Sequence, residues 1–259
     1  MAVEYAREDS IGFVTLNRPP ANSYDYGVID ELRQAIEAAG ADAGSRVVIV
    51  RSALEKFFCG GADIKAFNEN PPERNMEMCR LAHQTLGRIA AIPKVFIAQL
   101  QGHALGGGLE IALACDLRFG AEGDYYLGVP EVTLGLLPGN GGTQRLPRLI
   151  GWNRALDLMI TGRRLPPAEA FQLGILDRLF PRERIEQETR AYAGMLTEGS
   201  ASAIGGIKLA VQQGRDRPLD DALRVERELL DGLFRSADAR EGVKAFVEKR
   251  KPGFNKTVA

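Results

Sequence analysis

"PKVFIAQLQGHALGGGLEIALACDLRF", residues 93–119, contains the change of pattern that decides the fold. Lys94–Leu100 is a short run of β-branched, aromatic and aliphatic residues and reads as a strand. Its nearly continuous apolar character predicts burial on both faces, as in a parallel sheet. Three glycines, Gly106 to Gly108, follow, and then "LEIALACDL", whose apolar residues read as a helix. The glycines leave bare backbone where a helix begins. There the first N–H groups lack partners and the macrodipole is positive, so a ligand atom can come close to the chain.

The same pattern recurs upstream. "RVVIVR" (46–51) reads as a strand, and "FFCGGADIKAF" (57–67) follows it with glycines opening a short helical pattern. "IGFVTL" (11–16) reads as a further strand. "DYGVIDELRQAIEAAG" carries a helical stripe at Val28, Ile29, Leu32 and Ile36 that stops at Gly40, and "ERNMEMCRLAHQTLGRIAAIP" reads as a helix halted before Pro93. Strands alternating with helices predict an α/β core with parallel pairing. Beyond Asp177 the pattern is helical: "RERIEQETRAYAGMLTEG", "SASAIGGIKLAVQQG", "LDDALRVERELLDGLF" and "AREGVKAFVEKR". The expected division is an α/β core over 1–195 and a helical region over 196–259.

Composition narrows the function. The chain has 259 residues, 45% hydrophobic, enough for a sizeable core. Its 33 basic and 34 acidic side chains give no global field for nucleic acid or an anionic membrane. Cys59, Cys79 and Cys115 lie far apart without metal-ligand spacing, which suggests buried thiols in a reducing compartment. No signal peptide or membrane span is read, so the expectation is a cytoplasmic protein with no membrane partner. The glycine cluster lacks the Lys-Ser/Thr of a phosphate loop and does not complete G-x-G-x-x-G. G-x-S-x-G is absent, and His83 and His103 form no H-E-x-x-H, so no dedicated metal site is expected.

Singly, each glycine turn reads as tight packing of helix on sheet. Together, at the ends of neighbouring parallel strands, they read as two sets of amide donors aimed at one oxygen. Glu110 lies between Leu109 and Ile111, and Glu131 follows Pro130 in "YYLGVPEVTLGLL". Acids in apolar settings are costly unless paired or used, and two of them suit general acid–base chemistry. The bland alternatives are a helix-end acid and an exposed loop acid. His103 reads as a structural strand-end histidine. Met76 and Met78 read either as walls of an acyl site or as one core and one exposed residue.

These residues in this order resemble the enoyl-CoA hydratase/isomerase (crotonase) family. The likeness runs through "VTLNRPPAN" (14–22), "FFCGGADIK" (57–65), residues 93–119, "LGVPEVTLGLLPGNGGTQRLPRLIG" (127–151), "ITGRRLPPAEAFQLGILDRLF" (160–180) and "EGVKAFVEKRKPGF" (241–254). The resemblance implies a ClpP/crotonase-like spiral of ββα units and a helical C-terminal region that builds trimers, often paired into hexamers. It implies an acyl-CoA thioester as ligand, with coenzyme A part of the substrate and no separate cofactor. It assigns the oxyanion hole to the N–H groups of Gly60 and Gly107, and the catalytic pair to Glu110 and Glu131. It puts the Gly139 carbonyl at the reacting water, the adenine on the 60–64 turn (Gly61, Ala62, Asp63, Ile64), and Lys249 at the CoA phosphates.

Two departures stand out. Gly60 replaces the family's usual Ala, which costs roughly 0.5–1 kcal/mol of ordering entropy. One extra residue lies between Glu110 and Glu131, placed in "GAEGDYY" (120–126). The expected activity is hydration of a trans-2-enoyl-CoA to 3-hydroxyacyl-CoA. The alternatives are a Δ3,Δ2-enoyl-CoA isomerase, for which one acid at position 131 suffices, and a non-catalytic acyl-CoA-binding scaffold. An RNA-binding role is disfavoured, because "DELRQAIEAAGADAGSR" carries Asp30, Glu31, Glu37 and Asp42 and no lysine.

Overall fold

The computed structural model describes residues 1–254. Strands β1 (Val3–Glu8) and β2 (Ile11–Leu16) form an antiparallel hairpin, and α1 (Tyr26–Ala41) follows. Next come β3 (Val47–Ser52), β4 (Phe57–Cys59), α2 (Ile64–Glu69) and α3 (Pro72–Ala91). Then follow β5 (Val95–Leu100), β6 (His103–Leu105), α4 (Gly107–Ala114), β7 (Leu117–Ala121) and β8 (Leu127–Gly128). A 3₁₀ turn (Glu131–Leu134), α5 (Gly142–Ile150), α6 (Trp152–Thr161), α7 (Pro167–Gln172) and β9 (Arg178–Phe180) complete the α/β part. The remaining helices are α8 (Ile185–Glu198), α9 (Ala201–Gly214), α10 (Leu219–Phe234) and α11 (Ala237–Val247).

The strands sort alternately into two sheets. One has six strands in the order β1-β2-β3-β5-β7-β9, parallel except for β1; the other has three, β4-β6-β8, all parallel. Each repeat therefore spends one strand in the large sheet, one in the small sheet, and returns through a helix. This is a ββα spiral, and it brings successive strand–helix turns to one edge of the small sheet.

Burial follows the strand period. Val48 and Val50 face a core closed by α1, α3 and α4, while Val47 and Ile49 face a second core closed by Ile185 and Ala193 of α8. Both faces are thus covered, as the apolar runs require. The expected boundary at residue 195 falls inside α8, because that helix belongs to the sheet it covers. Further on, α9 is tied to the core by Lys208. Its buried ammonium donates to Ile89 O and Lys94 O, both at 2.7 Å, and meets Asp116 Oδ2 at 2.8 Å. No helix among the described residues is long and apolar enough to cross a membrane.

Candidate active site

The three glycines meet three different neighbours. At Gly106 (φ +55°) a Cβ would lie 2.8 Å from Glu131 Oε1. At Gly107 it would lie 1.7 Å from the Tyr24 hydroxyl, and at Gly108 2.1 Å from Cys59 O. So the bare backbone lets a carboxylate, a phenol and the neighbouring turn close on the start of α4. The turns are in contact: a Cβ on Gly61 (φ +92°) would fall 3.5 Å from Gly107 N.

The donor assignment changes at one of the two turns. Gly60 donates its N–H to Ala21 O at 2.8 Å, so this group is already satisfied inside the fold and is not an oxyanion donor. Gly61 N–H points to Cys59 Sγ at 3.5 Å, and Asp63 N–H to Tyr24 O at 2.7 Å. Ala62, between them, has an N–H with no acceptor among the described residues, as does Gly107 in the first turn of α4. The fitting pair is therefore Ala62 and Gly107. Sequence reading placed the donor two residues early, since a hydrogen bond to Ala21 cannot be seen from spacing.

Glu110 is almost fully buried. Its Oε1 accepts the backbone N–H groups of Asn140 at 2.7 Å and Gly142 at 2.6 Å. Oε2 has no hydrogen-bond partner among the described residues. Burial is the largest influence and pushes the carboxyl up to about 7, with Glu131 adding to the rise and the two N–H bonds and Arg145 opposing it. Glu131 opens the 3₁₀ turn, and its Oε2 is buried without a partner. Burial raises this carboxyl too. Glu131 is thus no freely exposed loop acid. The segment 122–126, between β7 and β8, is held by the Tyr125 hydroxyl, which lies 2.7 Å from Ala121 O and 3.0 Å from Leu100 O.

Other expected residues sit differently. Gly139 O accepts from His83 Nε2 at 2.7 Å. The Asp63 carboxylate caps α2 and pairs with Arg18 at 3.3 Å, a structural use. Ile64 is exposed at the mouth of α2. Lys249 stands beyond α11 with φ 53°, and no hydrogen bond or ion pair joins it to the two turns. His103 is structural, its Nδ1 accepting the Tyr126 N–H at 3.0 Å. Met78 is core and Met76 exposed.

Sequence reading passed over Tyr24, Asn140 and Arg145. Asn140 places its N–H on Glu110 and its side-chain amide on the Tyr24 hydroxyl at 2.6 Å, and Arg145 Nη1 donates to Asn140 O at 2.9 Å. The block "PGNGGTQRL" signals this region, but only tertiary contact shows what its members do.

A buried and a half-buried carboxyl, both with raised proton affinity, thus lie at a turn with unfilled amide donors. Comparison with known proteins bears on the same constellation. The enoyl-CoA hydratase/isomerase family model matches residues 6–257. A probable enoyl-CoA hydratase of Mycobacterium bovis, echA8, is 38% identical, covering 96% of this chain and 95% of its own. A crotonyl-CoA hydratase of Syntrophomonas wolfei is 33% identical, with 96% and 95% covered. A crystal structure of an enoyl-CoA hydratase from Geobacillus kaustophilus superposes with a TM-score of 0.96 at 45% identity, covering 98% of this chain and 96% of that one. A ββα spiral of this shape, matched along nearly its whole length, is the crotonase fold, and the chain belongs to the enoyl-CoA hydratase/isomerase family.

Proposed function

We propose that the protein is an enoyl-CoA hydratase, which adds water across the double bond of a trans-2-enoyl-CoA to give the 3-hydroxyacyl-CoA. The observation that carries the reading is the pair of acids at the Gly106–Gly107 turn, the buried Glu110 and the half-buried Glu131. An isomerase needs one acid; adding both OH and H to a double bond has work for two. The relatives named as hydratases, one of them a crotonyl-CoA hydratase, support the same choice.

The thioester oxygen sits on the N–H groups of Gly107 and Ala62. As water attacks C3, charge builds on that oxygen, and each preorganised donor contributes about 2.7–4 kcal/mol to stabilising it. Glu110, ionised and oriented through Oε1, takes a proton from water through Oε2. Glu131, protonated, gives a proton to C2. Water's oxygen and one hydrogen end at C3 and the other hydrogen stays on Glu110, so the pair regains its starting state by proton exchange with solvent. Gly139 O helps hold the water with its second lone pair. The 60–64 turn and the exposed Lys249 receive the adenine and phosphates of coenzyme A. No cofactor beyond the substrate's own coenzyme A is needed.

We place the protein in the cytoplasm as trimers or hexamers. The three free cysteines suit a reducing compartment, and the exposed side chains of Trp152, Phe234, Phe246 and Val247 suit contact with other copies. Loss of enoyl-thioester absorbance with crotonyl-CoA, followed by identification of the 3-hydroxy product, tests the function. A protein that leaves short, long and aromatic 2-enoyl-CoAs untouched but converts a 3-enoyl-CoA is the isomerase instead.

A further inference from the structure

Tyr24 touches both turns of the site. Its main chain brackets Ala62, the N–H donating to Gly61 O at 2.9 Å and the carbonyl accepting Asp63 N–H at 2.7 Å. Its side chain lies over the other turn, the phenol oxygen occupying the space where a Cβ of Gly107 would be. The residue is 4% exposed. One residue therefore touches both turns, by its main chain at Ala62 and by its phenol at Gly107.

The hydrogen-bond count of the phenol is incomplete. Its oxygen accepts from Asn140 Nδ2 at 2.6 Å. A phenol also has one O–H to give, and among the described residues none accepts it. Buried polar groups in folded proteins nearly always find a partner, so a donor left over against Gly107, whose own N–H is also unfilled, suits a ligand atom at that turn. Asn140 fixes the phenol from behind while its main chain fixes Glu110, so the two groups are held to one frame. Burial raises the phenol's proton affinity well above its usual value, and Glu110 and Glu131 raise it further. The phenol stays neutral, the form that can donate.

We infer that the Tyr24 O–H is a third hydrogen-bond donor to the thioester oxygen, beside the N–H groups of Ala62 and Gly107. This rests on the hydratase reading. Nothing is transferred: the O–H bond stays intact, and its hydrogen bond shortens as enolate charge grows on the acceptor. A donor of this kind acts on the transition state more than on the bound substrate.

Tyr24→Phe keeps the ring and removes the O–H. Removing one such donor is expected to lower kcat for crotonyl-CoA hydration roughly 10²-fold while KM moves far less. A second readout follows polarisation directly. A conjugated cinnamoyl-type CoA thioester bound to the parent should absorb further to the red than in water, because donors at the thioester oxygen polarise it. Tyr24→Phe should reduce that shift, and Glu110→Gln should leave it. Asn140→Ala, which frees the phenol from its anchor, should give an intermediate shift, and it serves if Tyr24→Phe does not fold. An unchanged kcat and an unchanged shift in folded Tyr24→Phe overturn the inference. So does a normal shift with an altered chain-length preference, which would make Tyr24 a wall. A parent protein that binds and red-shifts the probe but hydrates no enoyl-CoA sinks the hydratase reading instead.

Discussion

Glu110 gives the sharpest prediction at the scale of single residues. Its carboxyl, raised from 4.5 to about 7, must be ionised to take a proton from water, so kcat/KM should rise with pH through about 7. That limb should vanish in Glu110→Gln. Glu110→Gln and Glu131→Gln should each lower hydration about 10²–10⁴-fold, and the double variant by less than the product, because the acids act as a unit. Stability carries the same signature with a defined sign. The folded protein keeps this proton to higher pH than the unfolded chain, so stability falls as pH rises from 4.5 to about 7, by on the order of 3 kcal/mol. Urea unfolding at pH 5 and pH 8 should show a smaller loss for Glu110→Gln than for the parent; equal losses would remove the buried acid from the account. Gly60→Ala should be tolerated. A Cβ there meets Ala21 O and Ser23 Oγ at 3.3 Å, contacts relieved by shifts of a few tenths of an ångström, and the N–H bond to Ala21 survives.

Among the elements, α4 and its opening turn set the geometry. Gly108→Ala would drive a Cβ to 2.1 Å from the Cys59 carbonyl, which is backbone and cannot rotate away. Separation of β4 from α4 should cost about 1–3 kcal/mol and turnover with it, read by thermal unfolding and by rate. Gly87→Ala in α3, where a Cβ meets nothing within 4 Å, is the contrast and should stabilise by about 0.5–1 kcal/mol. Legibility in the sequence follows the same physics. Strands β2, β3 and β5 were readable because both of their faces are buried, and α10 because its apolar stripe repeats with the helical period. β1 escaped because Glu4, Arg7 and Glu8 give an edge strand a polar look. β4, β6 and β8 escaped because two or three residues carry no period. At the site, Glu110 and Glu131 stood out as acids among apolar neighbours. Ala62 and Tyr24 did not, since an amide's freedom and a phenol's partner depend on what the fold sets against them.

At the scale of the whole molecule, the C-terminal helices are part of the structure that supports the site. Exposed Trp152, Phe246 and Val247 should be covered in an assembly. Sedimentation should show trimers or hexamers, and charged substitutions at Phe246 and Val247 should yield smaller species. Within one chain, Lys208 bonds to α3, to the start of β5 and to Asp116 ahead of β7. Lys208→Met leaves Asp116 without this cation and two carbonyls without this donor, and should cost about 3–5 kcal/mol in urea unfolding. The same anchor bears on dividing the polypeptide. Expressed alone, residues 1–199 would lack a cation that three points of the core require. Supplied with 200–259 as a separate peptide, they should regain both compactness and turnover, with the lysine acting as the latch of a two-piece enzyme.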